Sequence, residues 1–457
     1  MKSWLSTIEG SRWAVVIPIA VAAVLGISNI GSKSMWLDEA FSASIIQLPT
    51  PDLVAYIAHH EMQASPYYLV LQAWSALGHS ETALRLLSVI FGVLGVLATY
   101  ALGRRYGVGL AAAMLLAVSP FFIHYEQEVR VYTLLVAWCA ITTLAYLRLV
   151  ERPNRWRAAG YVVVAVGLIY IHPLNAWMLV AHGLATLLWA PREWRVRLLA
   201  LYVPVAIAAL PIARYLILNR ARADWIPGST PFVVAHQLSQ LLGAAALAIA
   251  LTLVIALGLG RAWRSELPAL RLPLLLVALT LGGILLMSLL IQPLFVDRYL
   301  IGVLPMLFIV VARAVAALPW PRLVFAGLLA VSLVGTGSWL IDGTKDDWRA
   351  AGAYVESHVQ PGDGVIIWPN YYRLPFAYYA TPGEPLYPST PWMTLYVPMW
   401  GLSIDLPPEV DNQRIWLVRT SHYLPAPDIA ALLDDYEAVD TQLFGTEQPE
   451  IVLLVRR

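Results

Sequence analysis

Asp38 and Glu39 stand side by side in Met35-Trp36-Leu37-Asp38-Glu39-Ala40-Phe41-Ser42, a few residues after the first long apolar segment. Paired carboxylates beside a membrane surface are costly unless something solvates or uses them. On a helix, adjacent side chains point about 100° apart. One acid can then face a substrate as a general base while the other orients it or holds a cation. The competing reading is a solvated helix start, where the dipole favours acids.

Two further runs carry charge in apolar surroundings. Glu126-Gln127-Glu128-Val129-Arg130-Val131-Tyr132 spaces Glu126 and Arg130 at i,i+4, where they could pair. Glu128 is then left as a second acid for chemistry. Phe295-Val296-Asp297-Arg298-Tyr299-Leu300 puts an arginine at the start of an apolar segment. A guanidinium there suits a lipid phosphate, although a contact with Asp297 or snorkelling would also account for it. Arg220, Arg222 and Asp224 add charge in a separate loop, as phosphate partners or as solvated surface.

His59, His60, His124 and His172 could join Asp38 and Glu39 around a metal. No ligand spacing supports this, because neighbours such as His59 and His60 rarely share one ion. Hydrogen-bonding residues of a cavity are the expected role, shared with Tyr67, Tyr68, Arg130 and Tyr299. No cofactor is firmly implied, and a divalent metal is left open.

The elements that hold these residues are set by composition. Of 457 residues, 59% are hydrophobic and 13% charged, against about 25% charged in a soluble domain. Most of the chain therefore lives in lipid. A net charge of +1 argues against a nucleic-acid partner, and the lone Cys139 cannot form an intrachain disulfide. Eleven segments approach the roughly 20 apolar residues that cross a bilayer. They are 13–30, 82–103, 108–123, 131–150, 157–172, 174–190, 198–217, 238–260, 272–291, 299–317 and 323–341, of which 108–123 and 157–172 are short. The first is long enough to span and is not expected to be a cleaved leader.

Arginine and lysine crowd alternate ends of these segments: Lys2 and Arg12, Arg104-Arg105, Arg152, Arg155 and Arg157, Arg192, Arg195 and Arg197, Arg261, Arg264 and Arg271, and Arg322. By the positive-inside rule these ends face the cytoplasm. The other ends hold residues 31–81, 124–130, 171–175, 219–236 and 292–298, which carry the acids and histidines named above. The first outer loop, 31–81, has apolar stretches at 40–48 and 66–77 that are too short to span and suit helices lying in the interface.

An odd number of spans leaves residues 342–457 outside. There Asp347–Val355 is predicted to be a capped helix. Residues 364–368, 414–418 and 451–455 are predicted strands, and Asp428–Tyr436 a second helix. The expected architecture is a mainly α, polytopic membrane protein with a transmembrane module over 1–341 and a small α/β extracytoplasmic domain over 342–457.

In the order of these features the chain resembles the GT-C glycosyltransferase superfamily, in the branch of protein O-mannosyltransferases and lipid A aminoarabinose transferases. The likeness rests on Trp36-Leu37-Asp38-Glu39, Ser65-Pro66-Tyr67-Tyr68-Leu69, Ala83-Leu84-Arg85-Leu86-Leu87, Leu102-Gly103-Arg104-Arg105, Ser119-Pro120-Phe121-Phe122-Ile123-His124-Tyr125, Gln127-Glu128-Val129-Arg130, Asp297-Arg298-Tyr299-Leu300 and Lys345-Asp346-Asp347-Trp348-Arg349. It implies a transferase of the plasma (inner) membrane that uses a polyprenyl-phosphate sugar at the outer face. It further implies Asp38 as base, Glu128 as assisting acid and Arg298 on the donor phosphate. The acceptor would be a hydroxyl of a glycan, lipid or protein. Relatives often carry a lysine near the Ser65-Pro66-Tyr67-Tyr68 position; this chain reads Gln63-Ala64 there. Donor phosphate binding then rests on Arg298, helped by Arg222 or a histidine.

Two other classes share these features. A lipid-linked oligosaccharide ligase or polymerase would use the same cavity and differ in product length. A secondary transporter would also bury acids and histidines, but it usually shows internal repeats and mid-membrane charges, and no repeat is found. The arginine asymmetry makes the topology testable. Single cysteines placed in 342–457 should react with an impermeant thiol reagent on intact cells. Reaction only after the inner face is opened would overturn the orientation.

Overall fold

A computed structural model of the chain describes residues 13–220, 226–243, 245–342, 345–381, 383, 386–387, 411–420, 434–445 and 449–457. Each of the eleven apolar segments is helical. Among the described residues, seven helices are long and apolar enough to cross a membrane: Glu81–Arg104, Tyr132–Glu151, Arg192–Leu218, Ala245–Ala262, Arg264–Leu290, Asp297–Ala316 and Pro321–Ile341. Gly109–Ala117 and Pro120–Glu126, bent by 64°, make an eighth if counted as one span. Val16–Ile27, Arg155–Ile171 and Ala176–Trp189 are shorter, at 12, 17 and 14 residues. This is a multi-pass membrane protein.

The bend in the third segment follows from its sequence. Pro120 has no N–H to continue a helix from the preceding turn, but its fixed φ suits a helix start. Ser119 caps the new helix by accepting a hydrogen bond from the Phe122 N–H at 3.4 Å. Backbone packing is closest where glycine replaces a side chain. A Cβ on Gly258 would lie 2.7 Å from the backbone carbon of Ala314, so the helices containing them touch through their main chains.

The chain divides into two compact units. The first comprises residues 1–28, 54–78 and 83–341; the second comprises 29–53, 79–82 and 342–457. The long loop 31–81 is thus shared between them, and the helix Leu37–Ile45 that carries Asp38 and Glu39 belongs to the second.

The second unit is built on a five-stranded sheet. Its strands are β1 Gly364–Trp368, β2 Leu386–Tyr387, β3 Arg414–Arg419, β4 Tyr436–Leu443 and β5 Glu450–Arg456, in the order β2-β1-β3-β5-β4. β1 pairs in parallel with β2 and β3; β5 is antiparallel to β3 and β4. Register places Val365 opposite Trp416 and Leu417 opposite Val452. The three predicted strands are present as β1, β3 and β5. The predicted capped helix is Trp348–His358, with Asp347 Oδ1 accepting from the Ala350 N–H at 3.1 Å. It packs Trp348, Ala351 and Val355 against Val365, Ile367, Trp416 and Val418. The predicted helix Asp428–Tyr436 falls mostly outside the described residues, and Tyr436 itself opens β4.

The glycine contact yields a paired test. Gly258→Leu should destabilise the detergent-solubilised protein by about 1–3 kcal/mol, the cost of overpacking, read as a lower thermal midpoint. Gly260→Leu, where an added Cβ would meet no atom within 4 Å, should leave it nearly unchanged.

Candidate active site

In the first unit the functional side chains sit where helices break. Helix Pro120–Glu126 ends at Gln127, and Tyr132–Glu151 begins five residues later, so Glu128 and Arg130 lie on a short non-helical turn. The turn is anchored by its neighbours. Ser88 Oγ donates to the Glu128 carbonyl at 2.5 Å, and Thr133 Oγ1 donates to the Ser88 carbonyl at 2.9 Å. Gln127 Nε2 donates to the carbonyls of Leu25, Gly26 and Ser28 at 3.3, 3.2 and 2.7 Å, satisfying the end of helix Val16–Ile27.

Glu128 is buried, and its Oε1 lies 3.0 Å from His124 Nε2. The His124 ring stacks on Trp339 with centroids 4.0 Å apart. Arg130 reaches the Tyr68 hydroxyl at 3.4 Å and lies over the Tyr132 ring. Glu126 does not pair with Arg130 as its spacing suggested. Its side chain is fully buried against Gly26 and Gly92, and neither oxygen has a hydrogen-bond partner among the described residues. The reason is the break itself: residues 127–131 leave the helix, so i,i+4 spacing no longer brings side chains together.

A second break brings in the other charges. His172 ends helix Arg155–Ile171 in extended backbone, and Pro173–Asn175 form one 3₁₀ turn. Asn175 Nδ2 contacts His172 Nδ1 at 3.4 Å and donates to the Tyr299 carbonyl at 3.3 Å. The His172 and Tyr299 rings lie 5.0 Å apart. Asp297 starts its helix by accepting the Arg298 N–H at 2.7 Å, while its own N–H donates to Gln237 Oε1 at 2.7 Å. The charges of Arg130 and Arg298 both act on the His172 ring. Asp297, Glu128 and Arg298 all act on Tyr125. Two arginines, a buried acid and two histidines therefore share one region.

In the second unit, Asp38 lies in the first turn of helix Leu37–Ile45, half-buried, with its carbonyl accepting from Ser42 Oγ at 3.0 Å. Glu39 is fully buried, and Lys345 Nζ lies 2.8 Å from its Oε2 with only 7% of the lysine side chain exposed. The segment before the helix is held as tightly. Ser34 Oγ donates to the Asp346 carbonyl at 2.6 Å, and the Met35 N–H donates to the Tyr379 hydroxyl at 2.6 Å. Tyr379 in turn donates to the Glu81 carboxylate. Burial, together with that hydrogen bond, pushes its phenol far above the ordinary value, so it remains a donor.

Of the solved structures compared, ArnT from Cupriavidus metallidurans in the apo state matches 96% of this chain and 97% of its own, with a TM-score of 0.59 and 14% identity. The same protein bound to undecaprenyl phosphate matches 97% and 98%, with a TM-score of 0.57 and 15% identity. This chain shares the fold of that protein. An oligosaccharyltransferase from Archaeoglobus fulgidus, tethered with an acceptor peptide, matches 96% of this chain and 74% of its own, at TM-score 0.51 and 12% identity. Residues 65–218 match the family described as dolichyl-phosphate-mannose-protein mannosyltransferase. No curated protein matches the sequence significantly.

Within this fold the expected site residues divide. His124, Glu128, Arg130, His172, Arg298, Tyr299 and Tyr68 come together. Tyr67 is buried beside Tyr68, with its ring packed towards Phe91. His59 is exposed and bonded to the Ala55 carbonyl of its own helix at 2.7 Å. The His60 ring lies tilted against Tyr56 with centroids 5.0 Å apart, and its carbonyl accepts from the Tyr215 hydroxyl at 2.7 Å. Arg222 lies outside the described residues. No group of three or more His, Cys, Asp or Glu side chains able to hold a metal occurs among the described residues.

Sequence reasoning missed Lys345, Gln127 and Asn175. Lys345 stood in the Lys345-Asp346-Asp347-Trp348 run without an assigned role, and nothing local connects it to a residue 306 positions away. The pair is testable. Lys345→Met alone should cost about 3–5 kcal/mol of stability, because it leaves a buried carboxylate uncompensated. The double variant Glu39→Leu, Lys345→Met should recover most of that loss in the same thermal unfolding measurement.

Proposed function

We propose that the protein is a glycosyltransferase that moves a single sugar from a polyprenyl phosphate to a hydroxyl of a glycan, lipid or protein acceptor, at the extracytoplasmic face of the plasma membrane. The observation that carries this reading is the buried His124–Glu128 pair on the turn that also holds Arg130, with Arg298 adjoining Tyr299, whose ring lies against His172. That arrangement offers fixed positive charge to a phosphate and an acid close to the reacting sugar. ArnT, which shares the fold, has been solved with undecaprenyl phosphate bound, and this supports a lipid phosphate as the donor's leaving group.

The chemistry needs few parts. The acceptor oxygen attacks the anomeric carbon as the bond to the phosphate oxygen breaks, and the acceptor proton passes to Asp38. A phosphate is already a good leaving group, so its departing charge is the main demand, met by Arg298 with Arg130 nearby. Glu39 holds Lys345 and so orients the helix carrying the base, while Glu128 with His124 assists on the sugar. One displacement inverts the anomeric centre. Retention would require a carboxylate nucleophile on the opposite face of the sugar, and nothing in the site calls for one.

Turnover of the purified protein against a panel of polyprenyl-phosphate sugars, read by mass spectrometry, tests the reading. Asp38→Asn should fold, keep donor binding and lose at least about 10²-fold in transfer. Glu128→Gln should lose less. Arg298→Ala should weaken donor binding by several kcal/mol, with Arg298→Lys a partial rescue because the bidentate fork is lost. Near-normal transfer by Asp38→Asn while Glu128→Gln is dead would move the base to Glu128. Normal turnover by all of these variants would reject the mechanism.

A further inference from the structure

The apolar helices Ala245–Ala262 and Arg264–Leu290, both in the first unit, meet at one break, where Ala262 leaves helical backbone at φ −118° and ψ 23°. The chain doubles back there. Gln237, which precedes the first helix, accepts the N–H of Asp297, which follows the second, at 2.7 Å. The two helices are therefore a hairpin with its open end at the candidate site and its tip at the break. The first helix has 18 residues, which carry the tip about 27 Å away at about 1.5 Å per residue. That is close to the roughly 30 Å of a bilayer core, so the tip lies at the membrane face opposite the candidate site. It is held within the same unit: Arg313 Nε donates to Glu266 Oε2 at 2.6 Å, and Arg313 Nη1 donates to the Tyr106 carbonyl at 3.2 Å.

A cleft of about 390 Å³ opens at this tip, lined by Gly260, Arg261, Ala262, Arg264 and Ser265. Both arginines are exposed, and among the described residues neither guanidinium enters a hydrogen bond or an ion pair. No carboxylate is among the residues that line the cleft. The acid nearest in sequence, Glu266, is already committed to Arg313. Gly260 keeps the space open, since a Cβ there would meet no atom within 4 Å. Two like charges bordering one cleft repel each other, and an anion seated between them turns that repulsion into two attractions.

Position and chemistry together select the anion. Guanidinium forks form charge-assisted, often bidentate hydrogen bonds with phosphate oxygens. At the meeting point of two membrane-crossing helices the phosphates at hand are those of lipid headgroups, and basic pockets between such helices recognise the anionic ones. We propose that the hairpin tip is a binding site for the headgroup of an anionic phospholipid, in the leaflet opposite the candidate active site. The site does not rest on the transferase reading, and binding is measured without turnover. Full-length protein in a neutral detergent is titrated with dioctanoyl phosphatidylglycerol, dioctanoyl phosphatidylcholine or inorganic phosphate. Bound lipid is counted by native mass spectrometry, alongside thermal unfolding.

Phosphatidylglycerol should bind at least about tenfold more tightly than phosphatidylcholine, and more weakly as salt is added. The double variant Arg261→Gln, Arg264→Gln should unfold at the wild-type temperature without lipid, because neither arginine makes an internal bond. It should lose at least about tenfold in phosphatidylglycerol affinity, the worth of one charge-assisted contact. The control Arg152→Gln, Arg155→Gln removes equal charge from another exposed turn and should change that affinity by less than about twofold. Equal losses in the two double variants would overturn the site in favour of diffuse surface charge, and equal affinity for the two lipids would overturn it as well. Inorganic phosphate that displaces phosphatidylglycerol at matched concentration would overturn the lipid assignment in favour of a soluble anion.

Discussion

Carboxylates cut off from water are the constraint on which much of this structure turns. Glu39, Glu126 and Glu128 are all buried to 1% exposure or less. Removing such a group from water costs several kcal/mol even after relaxation, so each needs a local solution. Glu39 takes an ammonium from Lys345, and this joins the start of the C-terminal segment to the helix that carries Asp38. Glu128 takes the imidazole of His124, itself stacked on Trp339. Glu126 is accommodated sterically, with Gly26 and Gly92 leaving room for its carboxylate between their helices.

The same constraint governs the backbone. Polar main-chain groups within a membrane must be satisfied inside the protein, and irregular backbone survives there only where it is packed or lines a cavity. Each helix break in the candidate site meets this with side chains from elsewhere. Gln127 serves the carbonyls at 25, 26 and 28. Ser88 serves the carbonyl of Glu128, Asn175 that of Tyr299, and Gln237 the N–H of Asp297. The breaks therefore serve as the devices that turn Glu128, Arg130, His172 and Arg298 towards one region, and the polar residues around them are their supports. Lys345 and Arg349 extend the pattern to the second unit, where each is fixed by a carboxylate.

Legibility followed the range of the interactions. Apolar length and the punctuation of Ser, Pro and Gly are local, so all eleven helical segments, the capped helix after Asp347 and three of the five strands could be located from the residues alone. β2 is two residues long, and β4 is mostly exposed with a bulge between Ala438 and Asp440, so neither has the apolar run that marks a buried strand. The Glu126–Arg130 pairing failed for the opposite reason: a spacing rule for continuous helix was applied across a break that tertiary packing stabilises.

By itself, then, the sequence determined that the chain is a multi-pass helical protein ending in a small α/β unit, and which charged residues lie at the ends of its apolar segments. Those are properties of composition and period, decided residue by residue by transfer out of water. Only the tertiary structure decided which of those charges meet. Lys345 with Glu39 and His124 with Glu128 depend on where helices stop and how they pack. A buried charge selects its partner by proximity in space, and local sequence carries no record of that distance.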